Sequence, residues 1–431
     1  MIPFFLVVAG FVFSIQKPYK ILIFGFVIQF FLLWFTLKFF PNDYSSVGTL
    51  NTVYLYSSVC FFYFKFPHHF RKFLSFYFLF LITFLFLMYF HSRIYSYPIY
   101  LSIGYFKNFF HSFLFFSVAS LVVKEDRFFS VFNFLLIFFT LTSGFYLAQL
   151  FMPSIKYFLV IEYIYKNGEF VNLISEEILK GNPAIGTFIR PANLGNVLAV
   201  FVPFYYYLYT TYRLKINRIV FWTIFILFVF TLINTGIRTS FVSFVFCQVG
   251  FMLLIYRRRL VFVFTGFVCA AIFVTVISSK LNLEFYERGD FSSPLMRVFY
   301  LFNYFDSGSS IVEESTLSRS SNIFAYYESF FFGSGFMSSG GIVQGISSIT
   351  DLTLAFIFVE YGFIVLMLSL VPFSFPVLGI LRTQGRGREF YISLVLFTTL
   401  ILQTITDQGL FTNYCSYMYF FVMAYFGFDR T

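Results

Sequence analysis

Long apolar runs, separated by short stretches that contain Lys and Arg, dominate this sequence of 431 residues. Hydrophobic residues make up 59% of the chain and charged residues only 11%, a balance that no soluble protein of this length needs. Runs of about 20 apolar residues are typical of transmembrane helices. The pattern therefore predicts an all-α polytopic membrane protein.

The basic residues predict how these helices are oriented. Lys and Arg collect after every second apolar run, and cytoplasmic loops are enriched in both, which predicts about 13 transmembrane helices. The N-terminus is then outside and the C-terminus inside. No basic residues precede the first run, residues 2–15, so we expect a retained helix rather than a cleaved signal peptide. The net charge of +10 lies mostly in these loops, and nucleic acid is not an expected partner.

Two polar segments, residues 153–191 and 278–350, interrupt the series of apolar runs, and the predicted topology places both outside. A long segment of this kind is usually functional, and in a membrane protein it must lie in water or against protein. We expect a helix that starts near residue 351 and runs to about residue 371, where Pro372 and Pro376 predict a break. The expected organisation is helices 1–6 in residues 1–152, a first external segment in 153–191, helices 7–10 in 192–277, a large external loop in 278–350, and helices 11–13 in 351–431. The individual helices expected within these ranges include residues 73–90, 219–234, 260–277 and 390–406.

Three arginines lie in external segments, against the usual charge bias of such segments. Arg190 in GTFIRPANLGN precedes a helix, Arg238 in NTGIRTS lies at the turn into another, and Arg319 in LSRSSN starts a helix-like piece of the large loop. A guanidinium binds two phosphate oxygens at once. We predict a phosphate-binding role for all three; solvation or contact with lipid headgroup phosphate is the alternative for each.

Carboxylates at the end of the large loop are further candidates. Asp351 begins a helix, where a carboxylate either stabilises the N-terminus or serves as a general base. Glu360 lies within the same apolar helix, and an intramembrane carboxylate needs a partner. Lys107 is the cation at a comparable depth, and we expect a structural Lys107–Glu360 pair in preference to a catalytic Glu360.

Polar groups within the large loop are candidates for substrate contacts. Glu328 faces away from the Phe-rich stripe of its predicted helix. Gly333 and Gly335 would let the backbone approach a diphosphate closely, although glycines of a flexible loop give the same pattern.

The motifs around these residues resemble those of a known family. The segment GTFIRPANLGNVLAVFVP resembles the signature of O-antigen polymerases, the Wzy family, and of the related O-antigen ligases. The segment TGIRTSFVSF resembles the family's short turn into the next outward-starting helix. The end of the large loop resembles a third pattern of the family. In that pattern an Arg precedes a helix and a Gly-x-Gly sequence, and the next helix starts with Asp and has a Gly near its middle. The resemblance covers roughly residues 186–369.

This resemblance implies a GT-C-like membrane glycosyltransferase in the bacterial cytoplasmic (inner) membrane, with no metal or other cofactor. Such a polymerase moves a growing glycan from undecaprenyl diphosphate to a sugar hydroxyl of the next lipid-linked repeat unit, outside the membrane. Its partners would be the lipid-linked donor and acceptor, the lipid bilayer and a chain-length regulator. The product would be O-antigen or a similar surface polysaccharide.

The same resemblance suggests roles for the candidate residues. Arg190, Arg238 and Arg319 would hold the diphosphates and stabilise the leaving carrier, with Asp351 as a candidate base. The substrate contacts would come from Asn193, Gly333, Gly335 and Glu328.

Two alternatives stand beside the polymerase. O-antigen ligases have a His near the start of the helix after the large loop, where this chain has Asp351. The four histidines of this chain, His68, His69, His91 and His111, all precede the first external segment. This difference favours a polymerase over a ligase. A flippase or transporter of lipid-linked glycan is the other alternative, but such proteins usually have short loops and paired repeats.

Overall fold

The computed structural model of the protein describes residues 8, 10–12, 15, 17–28, 46–159, 191–235, 237–256, 330–333, 353–385, 387–406 and 413–428. These residues form helices and the turns between them, and no strand occurs among them. The expected all-α class is therefore confirmed for this part of the chain. The predicted helix at 260–277 lies outside it.

Twelve α-helices are seen in the described ranges. Those in the first part of the chain are α1 (Pro18–Val27), α2 (Ser46–Lys65), α3 (Pro67–Ile94), α4 (Ile99–Lys124), α5 (Phe128–Phe151) and α6 (Pro153–Leu159). The others are α7 (Pro191–Thr210), α8 (Arg218–Asn234), α9 (Arg238–Ile255), α10 (Thr353–Gln384), α11 (Arg388–Thr406) and α12 (Asn413–Phe428).

Three stretches of helix are long and apolar enough to cross a membrane: Pro67–Ile94, Phe128–Phe151 and Glu360–Gln384. Shorter apolar helices accompany them in the residues that the structure describes. These features agree with a helical membrane protein. The number of 13 spans, the GT-C-like fold and the orientation stay predictions.

The chain divides into two compact units: unit 1 contains residues 1–61 and 121–306, and unit 2 contains residues 62–120 and 307–431. In unit 1, α7 is buried from Leu194 to Leu208, because its apolar side chains have neighbours on every side. It packs against α8 and α9, and α8 also packs against α5.

Aromatic contacts show the directions of these helices. The rings of Phe201 and Phe228 lie 5.9 Å apart. The rings of Tyr205 and Phe221 lie 4.8 Å apart, so α7 and α8 run antiparallel. They are consecutive helices, and an alternating path through a membrane requires this arrangement.

In unit 2, aromatic side chains of α3, α4 and α10 meet around Phe375. Its ring lies 4.4 Å from that of Phe76 and 5.3 Å from that of Phe113. On the neighbouring α12, Ser416 accepts a hydrogen bond of 2.7 Å from Ser112 of α4, and both are buried. Polar contacts of this kind join helices where no water is available.

The position of the break in α10 differs from the sequence prediction. Pro372 and Pro376 lie inside continuous helix, and the non-helical residue is Gly362. A proline removes one backbone N–H from a helix, but apolar helices packed against other helices tolerate it. Tyr419 of α12 donates to the carbonyl of Phe373 at 2.8 Å, within this proline-containing turn. The predicted break at the two prolines was therefore wrong.

Candidate functional site

The starts of α7 and α9 meet in unit 1. Gly195 of α7 lies so close to the turn before α9 that an added Cβ would be 2.7 Å from Ser240 Oγ and 3.0 Å from Thr235 Oγ1. Further along, the rings of Tyr207 and Phe251 lie 5.7 Å apart. The two helices therefore run parallel, with their N-terminal ends side by side.

A buried hydrogen bond joins these two helix starts. Ser240 Oγ donates to Asn196 Oδ1 at 2.7 Å, and both residues are about 99% or more buried. Beside them, Thr235 is fully buried, and its hydroxyl donates to the carbonyl of Leu232 at 2.7 Å. Because these polar groups are satisfied within the protein, the junction is well defined.

The electrostatics of this junction favour an anion. The N-terminus of a helix has a partial positive charge of about +0.5, and here two of them lie together. Neither helix has an acidic residue in its first turn. Arg238 is the first residue of α9, and Arg190 immediately precedes α7. Helix N-termini with adjacent arginines are suited to bind phosphate groups.

The structure describes only some of the other predicted site residues. Asn193 lies half-buried in the first turn of α7. For Arg238 the structure describes the backbone and not the side chain. Five predicted site residues lie outside the described residues, and their roles stay predictions: Arg190, Arg319, Glu328, Gly335 and Asp351.

A second polar cluster occurs in unit 2, where α10 is interrupted. Gly362 has φ 81° and ψ 178°, a backbone conformation that is almost restricted to glycine. The turn formed by residues 330–333 fits against the interruption. The N–H of Phe363 donates to the carbonyl of Phe330 at 2.8 Å, and that of Ile364 to the carbonyl of Phe331 at 3.4 Å. The turn thus caps the second part of α10.

Side chains from the end of α3 hold the other half of the same turn. His91 Nε2 lies 2.9 Å from the carbonyl oxygen of Phe332 and 3.0 Å from that of Glu360. The hydroxyl of Tyr95 donates to the carbonyl of Gly333. Partial burial raises the pKa of the Tyr95 hydroxyl, so this group keeps its proton at neutral pH. All four carbonyls of the turn therefore have donors.

The contacts of His91 define the state of its ring. Nε2 faces two carbonyl oxygens, which only accept, so Nε2 must have a hydrogen. Nδ1 lies 2.6 Å from the hydroxyl of Tyr97, which donates to it when the imidazole is neutral. The ring is 3% exposed and lies 5.0 Å from the ring of Tyr361. His91 is thus a fixed donor at the break.

Two of the predicted residues lie at this break. Gly333 has φ +70°, and a Cβ on it would overlap with the carbonyl of Glu360 and the nitrogen of Tyr361. It therefore contacts another part of the chain instead of lying in an open loop. Glu360 is 1% exposed, so its carboxylate is enclosed by the protein. The side chain of Lys107 is not described, so its pairing with Glu360 stays a prediction.

The sequence interpretation missed His91, Tyr95 and Tyr97. They belong to the polar stretch HSRIYSYP, which ends the long apolar run of α3. A histidine followed by two tyrosines at such a boundary was the available signal. Within the described ranges, no group of three or more His, Cys, Asp or Glu residues is arranged to hold a metal ion.

The fold and these two clusters define a helical protein with apolar helices of membrane-spanning length. The chain matches no protein-family model and no curated protein. The resemblance to O-antigen polymerases therefore rests on the motifs quoted above.

Proposed function

We propose that the protein is a membrane glycosyltransferase that polymerises undecaprenyl-diphosphate-linked repeat units of O-antigen or a similar surface polysaccharide. The reaction takes place on the outer side of the cytoplasmic membrane. The observation that supports this proposal most directly is the junction of α7 and α9. It brings together two helix starts that the resemblance associates with diphosphate binding, from separate parts of the sequence.

The chemistry needs a site of this kind. The bond between the donor sugar and its diphosphate breaks, and a hydroxyl oxygen of the acceptor sugar forms the new glycosidic bond. The proton of that hydroxyl passes to a base, for which Asp351 is the candidate. The carrier leaves with an additional negative charge on its diphosphate, and preorganised cationic donors stabilise that charge. The paired helix starts, with Arg190 and Arg238 beside them, would supply this stabilisation.

A flippase or transporter of lipid-linked glycan is the second candidate, because α10 is discontinuous. Interrupted membrane helices form the substrate and ion sites of many transporters, and here a buried carboxylate, Glu360, lies next to the interruption. The interruption at Gly362 is nevertheless filled by residues 330–333. A filled break leaves less space for a transported substrate than an open one.

The test is reconstitution of the purified full-length chain in vesicles that contain lipid-linked repeat units. We expect glycans of many repeat units without any other protein. Arg238→Ala should produce few or none, and Arg213→Ala, which changes an arginine between α7 and α8, is the matched control. Polymer formation requires neither a flippase nor a surface acceptor. If the wild-type chain makes no polymer but moves the lipid-linked unit between leaflets, the transporter is the better explanation.

Deletion of the gene gives an independent test in cells. A polymerase deletion should leave surface glycan with a single repeat unit, because unpolymerised units are still ligated. Loss of the single-unit band as well would favour a ligase or a flippase. Electrophoresis of the extracted surface glycan distinguishes these results.

A further inference from the structure

We propose that His91 is a positioning residue, which holds the turn of residues 330–333 in the break of α10 and thereby places the Gly-Ser-Gly sequence that begins at Gly333 for glycan transfer. This inference rests on the proposed function, because it assigns a role in that reaction to a residue outside the phosphate-binding segments. His91 acts through the turn and has no predicted contact with the substrate.

The turn needs donors that α10 alone does not provide. The interruption at Gly362 leaves the N–H groups of Phe363 and Ile364 without helical acceptors, and the carbonyls of Phe330 and Phe331 accept from them. Two carbonyls of the turn then remain, those of Phe332 and Gly333. A carbonyl without a donor is costly in apolar surroundings.

His91 meets this need and also joins the turn to the first part of α10. Its Nε2–H is shared between the carbonyls of Phe332 and Glu360, at 2.9 and 3.0 Å. The Glu360 carbonyl belongs to the last turn before the interruption, where helical partners are missing. One donor therefore links three segments: the end of α3, the 330–333 turn and the end of the first part of α10.

The required property of His91 is its hydrogen at Nε2, and both protonation states have that hydrogen. A glutamine side chain also presents an N–H donor but cannot transfer a proton near neutral pH. Glutamine should therefore replace His91 in a positioning role and fail to replace it in acid–base catalysis.

The turn connects this contact to the reaction. Gly333 packs against α10 and is the first residue of the Gly-Ser-Gly sequence, whose second glycine, Gly335, we expect to approach the diphosphate. Tyr95, four residues after His91, donates to the carbonyl of that same glycine. Release of the turn would displace Gly333, and a displacement of about 1 Å can reduce an enzymatic rate about 100-fold.

The experiment compares His91→Phe, which keeps a ring but has no donor, with His91→Gln in the reconstituted full-length chain. Tyr95→Phe is a milder second variant that removes only a hydroxyl, and His68→Phe is the control, because His68 is exposed on the same helix. Hydrogen–deuterium exchange at the amides of Phe363 and Ile364 reports on the turn, and polymer synthesis over a range of acceptor concentrations reports kcat and KM.

We expect exchange at these amides to rise about five- to tenfold in His91→Phe, as for the loss of a typical hydrogen bond. We expect kcat to fall about 10- to 100-fold. His91→Gln should restore both values, Tyr95→Phe should shift both in the same direction as His91→Phe, and His68→Phe should change neither.

Unchanged exchange in His91→Phe and Tyr95→Phe would overturn the inference, whatever their activity. Raised exchange with unchanged polymer synthesis would show that the turn has no part in the reaction and would also overturn it. If His91→Gln restores exchange but not activity, His91 transfers a proton and is not a positioning residue. If the wild-type chain makes no polymer, the proposed function fails and this role fails with it, and exchange still shows whether His91 holds the turn.

Discussion

Ser240 donates a hydrogen bond of 2.7 Å to Asn196, and both side chains are buried where the starts of α7 and α9 meet. Asn196 follows Arg190 in one motif, and Ser240 follows Arg238 in the other. The bond therefore fixes the relative positions of two segments that are distant in sequence. A glycine, Gly195, permits the close approach that this bond requires.

The first prediction concerns this bond. Ser240→Ala and Asn196→Ala should each lower the free energy of unfolding by about 1–3 kcal/mol, because each leaves a buried polar partner without its hydrogen bond. The double variant should lose less than the sum of the two. Thermal unfolding of the purified chain in detergent measures all three, and the result is a double-mutant cycle.

Ser75→Ala is the matched control for this cycle. Its hydroxyl donates a hydrogen bond of similar length, 2.8 Å, but the acceptor is the backbone carbonyl of Arg71 and the position is exposed on α3. We expect a change within about 0.5 kcal/mol. Strict additivity of the Ser240 and Asn196 variants would show that the two side chains are not coupled.

The second prediction concerns the arginines. Arg190→Ala, Arg238→Ala and Arg319→Ala should each lower the polymerisation rate about 10²–10³-fold, as for loss of a donor that stabilises transition-state charge. The Lys variants should recover part of the rate, because Lys keeps the charge but not the bidentate geometry. Polymer length at matched protein levels is the measurement.

Arg288→Ala is the control for this series, because Arg288 lies in the first part of the large loop and has no predicted role in phosphate binding. Full-length polymer from all three alanine variants would refute the shared phosphate site. An equal defect in Arg288→Ala would do so as well, and the active site would then have to be sought near Asp351 and Glu360.

Much of the helical architecture follows from the sequence, because apolar runs and basic ends mark where a helix must stop. The helix predicted at residues 219–234 is observed at Arg218–Asn234 (α8), and the helix predicted at residues 390–406 is observed at Arg388–Thr406 (α11). The error is larger for α3, predicted at 73–90 and observed at Pro67–Ile94. An apolar run ends where polar residues begin, whereas the helix itself continues through His and Arg residues as far as a proline or a turn.

The candidate sites were less accessible from the sequence. The motifs around Arg190 and Arg238 were recognised, but their proximity depends on the packing of Gly195 against Ser240. The break at Gly362 is a tertiary feature, because residues 330–333 replace the missing helical partners. No local pattern shows that a distant segment will supply those groups. The effect of proline on a helix instead predicted a break at Pro372 and Pro376.

The third prediction concerns membrane orientation. Reporters fused after Arg218, Arg259 and Arg388 should be cytoplasmic, because basic residues collect in cytoplasmic loops. Reporters at Glu177 and Ser309 should be external. Paired phosphatase and fluorescent-protein fusions measure this. An external reporter after Arg259 would contradict the entire alternation, and with it the external position of the proposed phosphate site.

The fourth prediction compares two glycines of α10. Gly362→Ala should destabilise the protein, because its φ of 81° and ψ of 178° cost a residue with a Cβ about 1–3 kcal/mol. A Cβ there would also overlap with the carbonyl of Phe331 and the nitrogen of Gly333. The substitution should therefore expel the turn from the break and reduce polymer synthesis together with stability.

Gly379→Ala provides the contrast within the same helix. A Cβ at Gly379 would have no atom within 4 Å, and the residue has no positive φ. Alanine favours helix over glycine by about 0.5–1 kcal/mol, so we expect this variant to be as stable as the wild type or slightly more stable. Thermal unfolding and polymer length, measured side by side, give the comparison. If Gly362→Ala is as well tolerated as Gly379→Ala, the interruption of α10 is not required, and the turn of residues 330–333 must be held in place by other contacts.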